Sequence, residues 1–340
     1  MPNKKTVGFF GGKFLPFHMG HIYLGVAASN KVDELCCVLS SSKNRDRELC
    51  ERDGIKYIPA EKRLAWIGES FNNIENMKII HIEDEHWDYD YDWEEGANLI
   101  KRAIGKPIDF IFSSENDYTE LFKKHYPGAQ HIVVDEGRET VPISATEMRK
   151  NLYDHWDKLP KSVRSYFAKK VVVIGTESCG KSTLVKKLAK FYNTNFVDEV
   201  GREYCDKYSN QLTEDMFNLI AMEHFLRQDK ASQDSNKILF VDSEAVITQY
   251  YLDMYFKGKK SALVNEIARL QNYDLAIFLE PDVKWVDDGL RFAGDEKNRR
   301  ENNEKLKKMY EERGIKFVSI NGNYSERFDK ARKLVDGLFQ

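Results

Sequence analysis

Cysteine is scarce. The 340 residues hold five, Cys36, Cys37, Cys50, Cys179 and Cys205, and no pair has C-x-x-C spacing. An odd number at this density excludes a disulfide scaffold, fits a reducing cytoplasm and gives no structural zinc signature. Long apolar runs are missing too: no stretch approaches 18 residues, and the opening MPNKKTVGFFGGKF lacks a long apolar region. The sequence therefore predicts neither a membrane span nor a signal peptide. Charge of one sign is also lacking. Lys and Arg total 52 against 55 Asp and Glu, a formal net charge of −3, so the whole chain has no polybasic footprint for nucleic acid. Gly8, Gly11 and Gly12 do not form G-x-G-x-x-G, which removes the dinucleotide fingerprint. No repeats or low-complexity tracts are present.

What is there begins at mid-chain. The run Val171-Val172-Val173-Ile174 leads into GTESCGKST, then TLVKKLAK. A strand, a glycine-bounded loop of the form G-x-x-x-x-G-K-S and a helix start make a phosphate cradle. Its backbone N–H groups and the helix N-terminus face the anion. Gly175, Thr176, Glu177, Ser178, Cys179, Gly180, Lys181, Ser182 and Thr183 are the candidate ATP contacts. Lys181 reaches the β- and γ-phosphates, and the Ser182 hydroxyl suits Mg²⁺. Such a loop normally opens its domain, so the 165 residues ahead of it need a separate job. A chain of this length suggests two domains, with the boundary placed at residues 1–165 and 166–340.

In the first half, strands alternate with helices of 10 to 15 residues, which predicts a parallel sheet covered on both faces. The strand Thr6–Phe10 runs into Gly11, Gly12, Lys13 and Phe14, and a helix is expected over Met19–Ser29. His18 and His21 stand three apart at its start, so both lie on one face and can offer imidazole N–H groups to ATP phosphates. The segment SSSKNRDRELCERDG reads as a polar loop. A helix follows from Pro59-Ala60-Glu61, with Leu64, Ala65 and Ile67 as its buried positions. EDEHWDYDYDWEE packs eight acids into thirteen residues around Trp87 and other aromatics. That is a solvated face, or a stacking surface for a flat base. Near the end, Ser144, Thr146 and Arg149 open another helix. Ser144 with Glu147 makes a capping box, which leaves Arg149 to hold a triphosphate.

GGKFLPFHMGH resembles the G-x-F-x-P-x-H-x-G-H signature of the nucleotidyltransferase superfamily, and ISATEMR resembles its I-S-x-T-x-x-R. With a P-loop domain behind them, the whole chain is similar to the NadR family, a nicotinamide mononucleotide (NMN) adenylyltransferase joined to a ribosylnicotinamide kinase. The resemblance implies two three-layer α/β/α domains with mainly parallel sheets, one Rossmann-like and one of the P-loop kinase type. It implies nicotinamide riboside, NMN and ATP as substrates. His18, His21 and Arg149 would hold ATP phosphates, assisted by Lys13 and Thr146. The SSEND loop would lie near adenine, and Trp87 near nicotinamide. The signature begins within the first twenty residues, leaving no room ahead of it for the helix-turn-helix domain of some members. No operator binding is therefore expected. The sequence is compatible with a homo-oligomer and does not define one.

In the second half, Asn195–Val200 reads as a strand ending in Asp198 and Glu199, placed to take a hydroxyl proton, with Arg202 beside them to steady substrate. Ile238–Val241 followed by Asp242 is the strand and carboxylate that complete a P-loop site, with Asp242 a Mg²⁺ ligand. Glu244, in the same turn, is a candidate ribose ligand. The aromatic-rich Ile247–Gly258 reads as core first and base wall second. Arg291, Arg299 and Arg300 follow Leu275–Leu279 and fit a lid that brings arginines over phosphates, or a solvated helix. By the same resemblance, Trp285 or Asp287 of KWVDDG would touch the riboside. Two alternatives stand: a P-loop nucleoside kinase fused to a nucleotidyltransferase of other specificity, or one fused to a degenerate nucleotide-sensing domain. No N/T-K-x-D guanine-reading motif follows the P-loop.

Overall fold

The computed structural model describes residues 4–83, 92–282 and 296–339. The chain divides into two compact units, Met1–Val163 and Arg164–Gln340. Each holds a five-stranded sheet in which every pairing is parallel.

The first unit runs β1 (Val7–Gly12), α1 (Met19–Ser29), β2 (Glu34–Ser41), α2 (Lys43–Arg52), α3 (Ala60–Phe71), β3 (Met77–Glu83) and α4 (Trp93–Ile104). It continues with β4 (Phe110–Ser113), α5 (Thr119–His125), β5 (Gln130–Val133), α6 (Ala145–Lys150) and α7 (Lys161–Phe167), the last crossing the division. The second runs β6 (Lys169–Ile174), α8 (Lys181–Phe191), β7 (Phe196–Val197), α9 (Val200–Lys207), α10 (Glu214–Gln233), β8 (Ile238–Asp242) and α11 (Ala245–Tyr255). Then come α12 (Ala262–Leu270), β9 (Leu275–Leu279), α13 (Glu296–Glu311), β10 (Val318–Ile320) and α14 (Tyr324–Asp336).

Strand order explains where the sites fall. It is β3-β2-β1-β4-β5 in the first sheet and β10-β9-β6-β8-β7 in the second. In both, the first strand is central and the chain leaves it to one side, then returns to build the other. The carboxyl end of such a strand opens a crevice between diverging connections, and ligands bind there. The loop after β1 carries the histidines, and the loop after β6 is GTESCGKST. Buried strands such as β8, with all five residues inaccessible, supply the apolar slab that fixes both loops from below.

Three expectations need correction. The segment read as a polar loop is the helix α2, whose inward positions are Asp46 and Cys50. Its hydrophobic pattern is nearly blank because one of its buried contacts is an ion pair. In α3 the buried positions are Arg63, Trp66, Ile67 and Phe71, while Leu64 is half-buried and Ala65 exposed. The strand expected over Asn195–Val200 pairs only at Phe196–Val197, because Val200 already begins α9.

Candidate active sites

In the first unit, α1 is capped by its own histidines. The Gly20 N–H donates to His18 Nδ1 at 3.2 Å, and the His18 N–H donates to His21 Nδ1 at 3.2 Å. A ring nitrogen that accepts a hydrogen bond carries no proton, so each imidazole keeps its proton on Nε2. The two rings stack with centroids 3.7 Å apart, and Phe17 stacks on His21 at 5.5 Å. Burial takes His18 down to about 3, helped by the nearby Arg138 charge, and burial together with His18 takes His21 well below its ordinary value. Both are neutral at pH 7. His18 Nε2 is buried and finds no hydrogen-bond partner, so its N–H is available to an anion.

Arg149 is 8% exposed and held on three sides. Its Nε donates to Asp53 at 2.6 Å, one terminal nitrogen to the Leu15 carbonyl at 2.9 Å, and the other to the Thr146 hydroxyl at 3.2 Å. The hydrogen bond from Arg52 and then Arg149 itself pull the Asp53 carboxyl down to about 2, against its burial. Ser144 caps α6 by accepting the Glu147 N–H at 3.0 Å, the structural use that the S-x-x-E spacing allowed. Lys13 donates to Asp46 at 3.2 Å, and the fully buried Asp46 also accepts from Arg63 at 2.7 Å. Arg63 in turn donates to the Lys13 carbonyl at 2.7 Å, fixing the strand end that presents Gly11, Gly12 and Phe14. Burial lowers the Lys13 pKa, with Asp46 opposing it. Asp46, Asp53, Arg63 and Arg138 were not singled out from sequence, because their partners lie far away along the chain. In the SSEND loop, Ser113 Oγ lies 2.8 Å from His131 Nε2, and Glu115 accepts from Arg138. Trp93 packs on Tyr118 at 5.5 Å. Trp87 lies outside the described residues.

In the second unit, Gly175 has φ 145°, and a side chain there would strike the Leu279 carbonyl at 2.8 Å. Gly180 has φ 93°, and Ser178 accepts φ 57° between them. Cys179 is buried beneath the loop and donates to the Thr176 carbonyl at 3.0 Å. Its carbonyl accepts from Arg327 of α14, whose guanidinium also reaches the Glu280 carbonyl at 2.7 Å and the Asp282 carboxylate. Lys181 lies across the loop on the Thr176 carbonyl at 3.1 Å. Burial works against its charge, but Cys179 and the acids Glu199, Asp242 and Glu177 hold its pKa above the ordinary value.

A cavity of about 530 Å³ opens above this loop. It is lined by the phosphate loop, by Asp198, Glu199 and Arg202, and by Asp242 and Glu244. Burial, then the Glu199 charge, push Asp242 up to about 6, while Lys181 and the Ser182 hydroxyl pull it down. Its Oδ2 is buried without a hydrogen-bond partner. Asp198 is paired with Lys186 at 2.9 Å, which leaves Glu199 closer in effect to Asp242 and Lys181. Glu244 is used by the fold. It accepts from the Val246 and Ile247 N–H groups at 2.8 and 3.3 Å and from the Tyr310 hydroxyl, so its oxygens are committed before any ribose arrives.

In α11, Val246, Ile247 and Tyr250 join the core, and Ile247, Tyr251 and Tyr255 line the cavity at a four-residue spacing. His224 of α10 also lines it and had given no signal beyond a lone histidine. Arg299 of α13 is buried and borders a second space of about 190 Å³ beside Thr176 and Glu177, whereas Arg300 is exposed. Arg291, Trp285 and Asp287 lie outside the described residues. Among the described residues no helix is long and apolar enough to cross a membrane.

Residues 170–327 match a family described as an AAA domain. The trifunctional NAD biosynthesis/regulator protein NadR of Escherichia coli K12 is 34% identical over 98% of this chain and 83% of its own length. Its namesake from Salmonella typhimurium LT2 is 33% identical over the same shares. A crystal structure of a NadR protein with NR superposes with a TM-score of 0.78 at 26% identity, covering 99% of this chain and 96% of that one. Another, with NAD and AMP-PNP, gives 0.77 at 25%, covering 98% and 96%. Two parallel α/β units, a histidine-capped helix in one and a phosphate loop in the other, and identity along nearly the whole length agree: the chain belongs to the NadR family.

Proposed function

We propose that this chain is a two-site enzyme that phosphorylates nicotinamide riboside with ATP in its second unit and adenylylates the resulting NMN in its first. The observation that supports this best is that both site geometries occur in one chain matching a NadR protein solved with NR across 99% of its length. Cytoplasmic residence fits the unpaired cysteines.

In the second unit the 5′-hydroxyl of the riboside attacks the γ-phosphorus of ATP, and ADP departs. Glu199 receives the hydroxyl proton in preference to Asp198, whose carboxylate is occupied by Lys186. Lys181 and the loop N–H groups stabilise charge on the β- and γ-oxygens. The unpartnered Asp242 Oδ2 beside the Ser182 hydroxyl is a fitting donor set for Mg²⁺. Bound there, Mg²⁺ would offset the charge of the transferring phosphoryl group.

In the first unit an NMN phosphate oxygen attacks the α-phosphorus of ATP, and pyrophosphate leaves. No side chain has to take a proton. His18 and His21 give neutral Nε2–H donors, and Arg149 gives the fixed positive charge, already aimed by Asp53, Leu15 and Thr146. Such donors cost little reorganisation when charge develops. Supplying riboside, ATP and Mg²⁺ and following NMN and NAD over time tests the whole reading. Absence of NMN refutes the kinase half. NMN without NAD, including from added NMN, refutes the adenylyltransferase half.

A further inference from the structure

His224 has no place in the chemistry above, yet it is one of the best-prepared groups in the kinase cavity. It is 4% exposed and projects from α10 on the same face as Phe217 and Ile220, which also line the space. Its Nδ1 accepts from Gln228 Nε2 at 3.4 Å, and Gln228 Oε1 accepts from the Tyr273 hydroxyl at 3.1 Å. Gln228 is itself buried, so the amide cannot turn to water for a substitute. With the Gln228 amide in this orientation, Nδ1 is the acceptor and the proton sits on Nε2. Nε2 is buried and makes no well-aligned hydrogen bond, although the Asp242 carbonyl faces the ring. A buried N–H left unmatched carries a desolvation penalty that a ligand oxygen can remove.

We propose that His224 Nε2–H donates to a ribose hydroxyl oxygen of the nucleoside, with Gln228 and Tyr273 as its positioning residues. The lining of the cavity indicates which part of the nucleoside it meets. Along α10, Phe217 and Ile220 come first and offer apolar surface for a flat ring. His224 comes one turn later, beside the end of β8 that carries Asp242 and the phosphoryl-transfer chemistry. The sugar lies between ring and phosphate, so the donor falls at its level. A neutral donor suits this place better than a lysine, because the riboside ring is already cationic and a second positive charge would repel it.

The inference rests on the kinase reading, and the experiment separates the two failures. If the wild-type full chain does not phosphorylate nicotinamide riboside, the kinase reading fails. If it does, His224→Ala should raise KM for the riboside by about tenfold to a hundredfold with KM for ATP unchanged. The 2′-deoxy and 3′-deoxy ribosides then locate the acceptor, since the penalty of His224→Ala should vanish with one of them. His224→Gln, which retains an N–H donor, should recover part of the loss and serves if the alanine variant does not fold. Gln228→Leu should raise the riboside KM less, without adding to His224→Ala. In ¹⁵N-histidine spectra at pH 7, His224 should appear as the Nε2–H tautomer, and its Nε2 signal should move when riboside binds. An unchanged riboside KM in the folded alanine variant, an equal loss with ATP, an undiminished penalty with both deoxyribosides, or an Nδ1–H tautomer overturns the proposal.

Discussion

The two sites handle phosphate with opposite electrostatics. The first ties its carboxylates to cations: it has two neutral imidazoles, one arginine whose charge is already balanced by Asp53, and a lysine tethered to Asp46. The second gathers Asp198, Glu199 and Asp242 around Lys181. The chemistry explains the difference. A phosphate nucleophile such as NMN is already ionised and needs donors, whereas a ribose hydroxyl must lose a proton and needs a base. The same switch point in two similar sheets therefore carries two unlike sets of side chains.

The sharpest way to break this contrast is to remove the principal cation or donor of each site. Lys181→Ala should cut riboside phosphorylation by about 10²- to 10³-fold and leave NMN adenylylation in place, measured separately with riboside and with NMN. His21→Ala should do the reverse, by about 10²-fold. If either substitution silences both reactions, the sites are not independent. Next in size, Asp46→Ala strands the buried Arg63 and should destabilise the first unit by about 3–5 kcal/mol, read as a lower thermal midpoint. An unmoved midpoint would show that Arg63 finds another partner. Asp53→Asn should raise the ATP KM of adenylylation by about tenfold, because Arg149 loses its charged restraint. A change in the riboside KM instead would contradict that placement.

The smallest effect is in pH. His18 and His21 have lowered pKa values when folded, so the unfolded chain takes up protons that the folded one refuses. Stability is therefore full above the unfolded value near pH 6.5 and falls as pH drops from there toward about 3. Midpoints recorded between pH 7 and 4 should decline less steeply in His18→Gln than in the wild type. Parallel slopes would mean that His18 titrates in the folded protein.

The strand–loop–helix structure of both candidate loops was legible because each depends on contiguous residues: glycines, a proline or lysine, and a helix start. The boundaries of β9 and α1 were readable for the same reason. What escaped is pairwise and distant. Asp46 meets Arg63 17 residues away, Asp53 meets Arg149 96 away, and Arg327 meets the Cys179 carbonyl 148 away. A helix whose inward face includes an acid, such as α2, has little hydrophobic period to detect. His224 escaped because its meaning comes from the Gln228 amide and from Tyr273, 45 residues beyond Gln228, not from its immediate neighbours in sequence.

Arg327 also has a consequence in time. The glycine-bounded loop of the second unit is synthesised at mid-chain, but the guanidinium fastening its Cys179 carbonyl lies in helix α14, near the end of the chain. A growing chain on the ribosome thus has His18, His21 and Arg149 long before the second unit's loop can be tied down by Arg327. The enzyme acquires its adenylyl-transfer half first, and its earlier pathway step is the last to be completed.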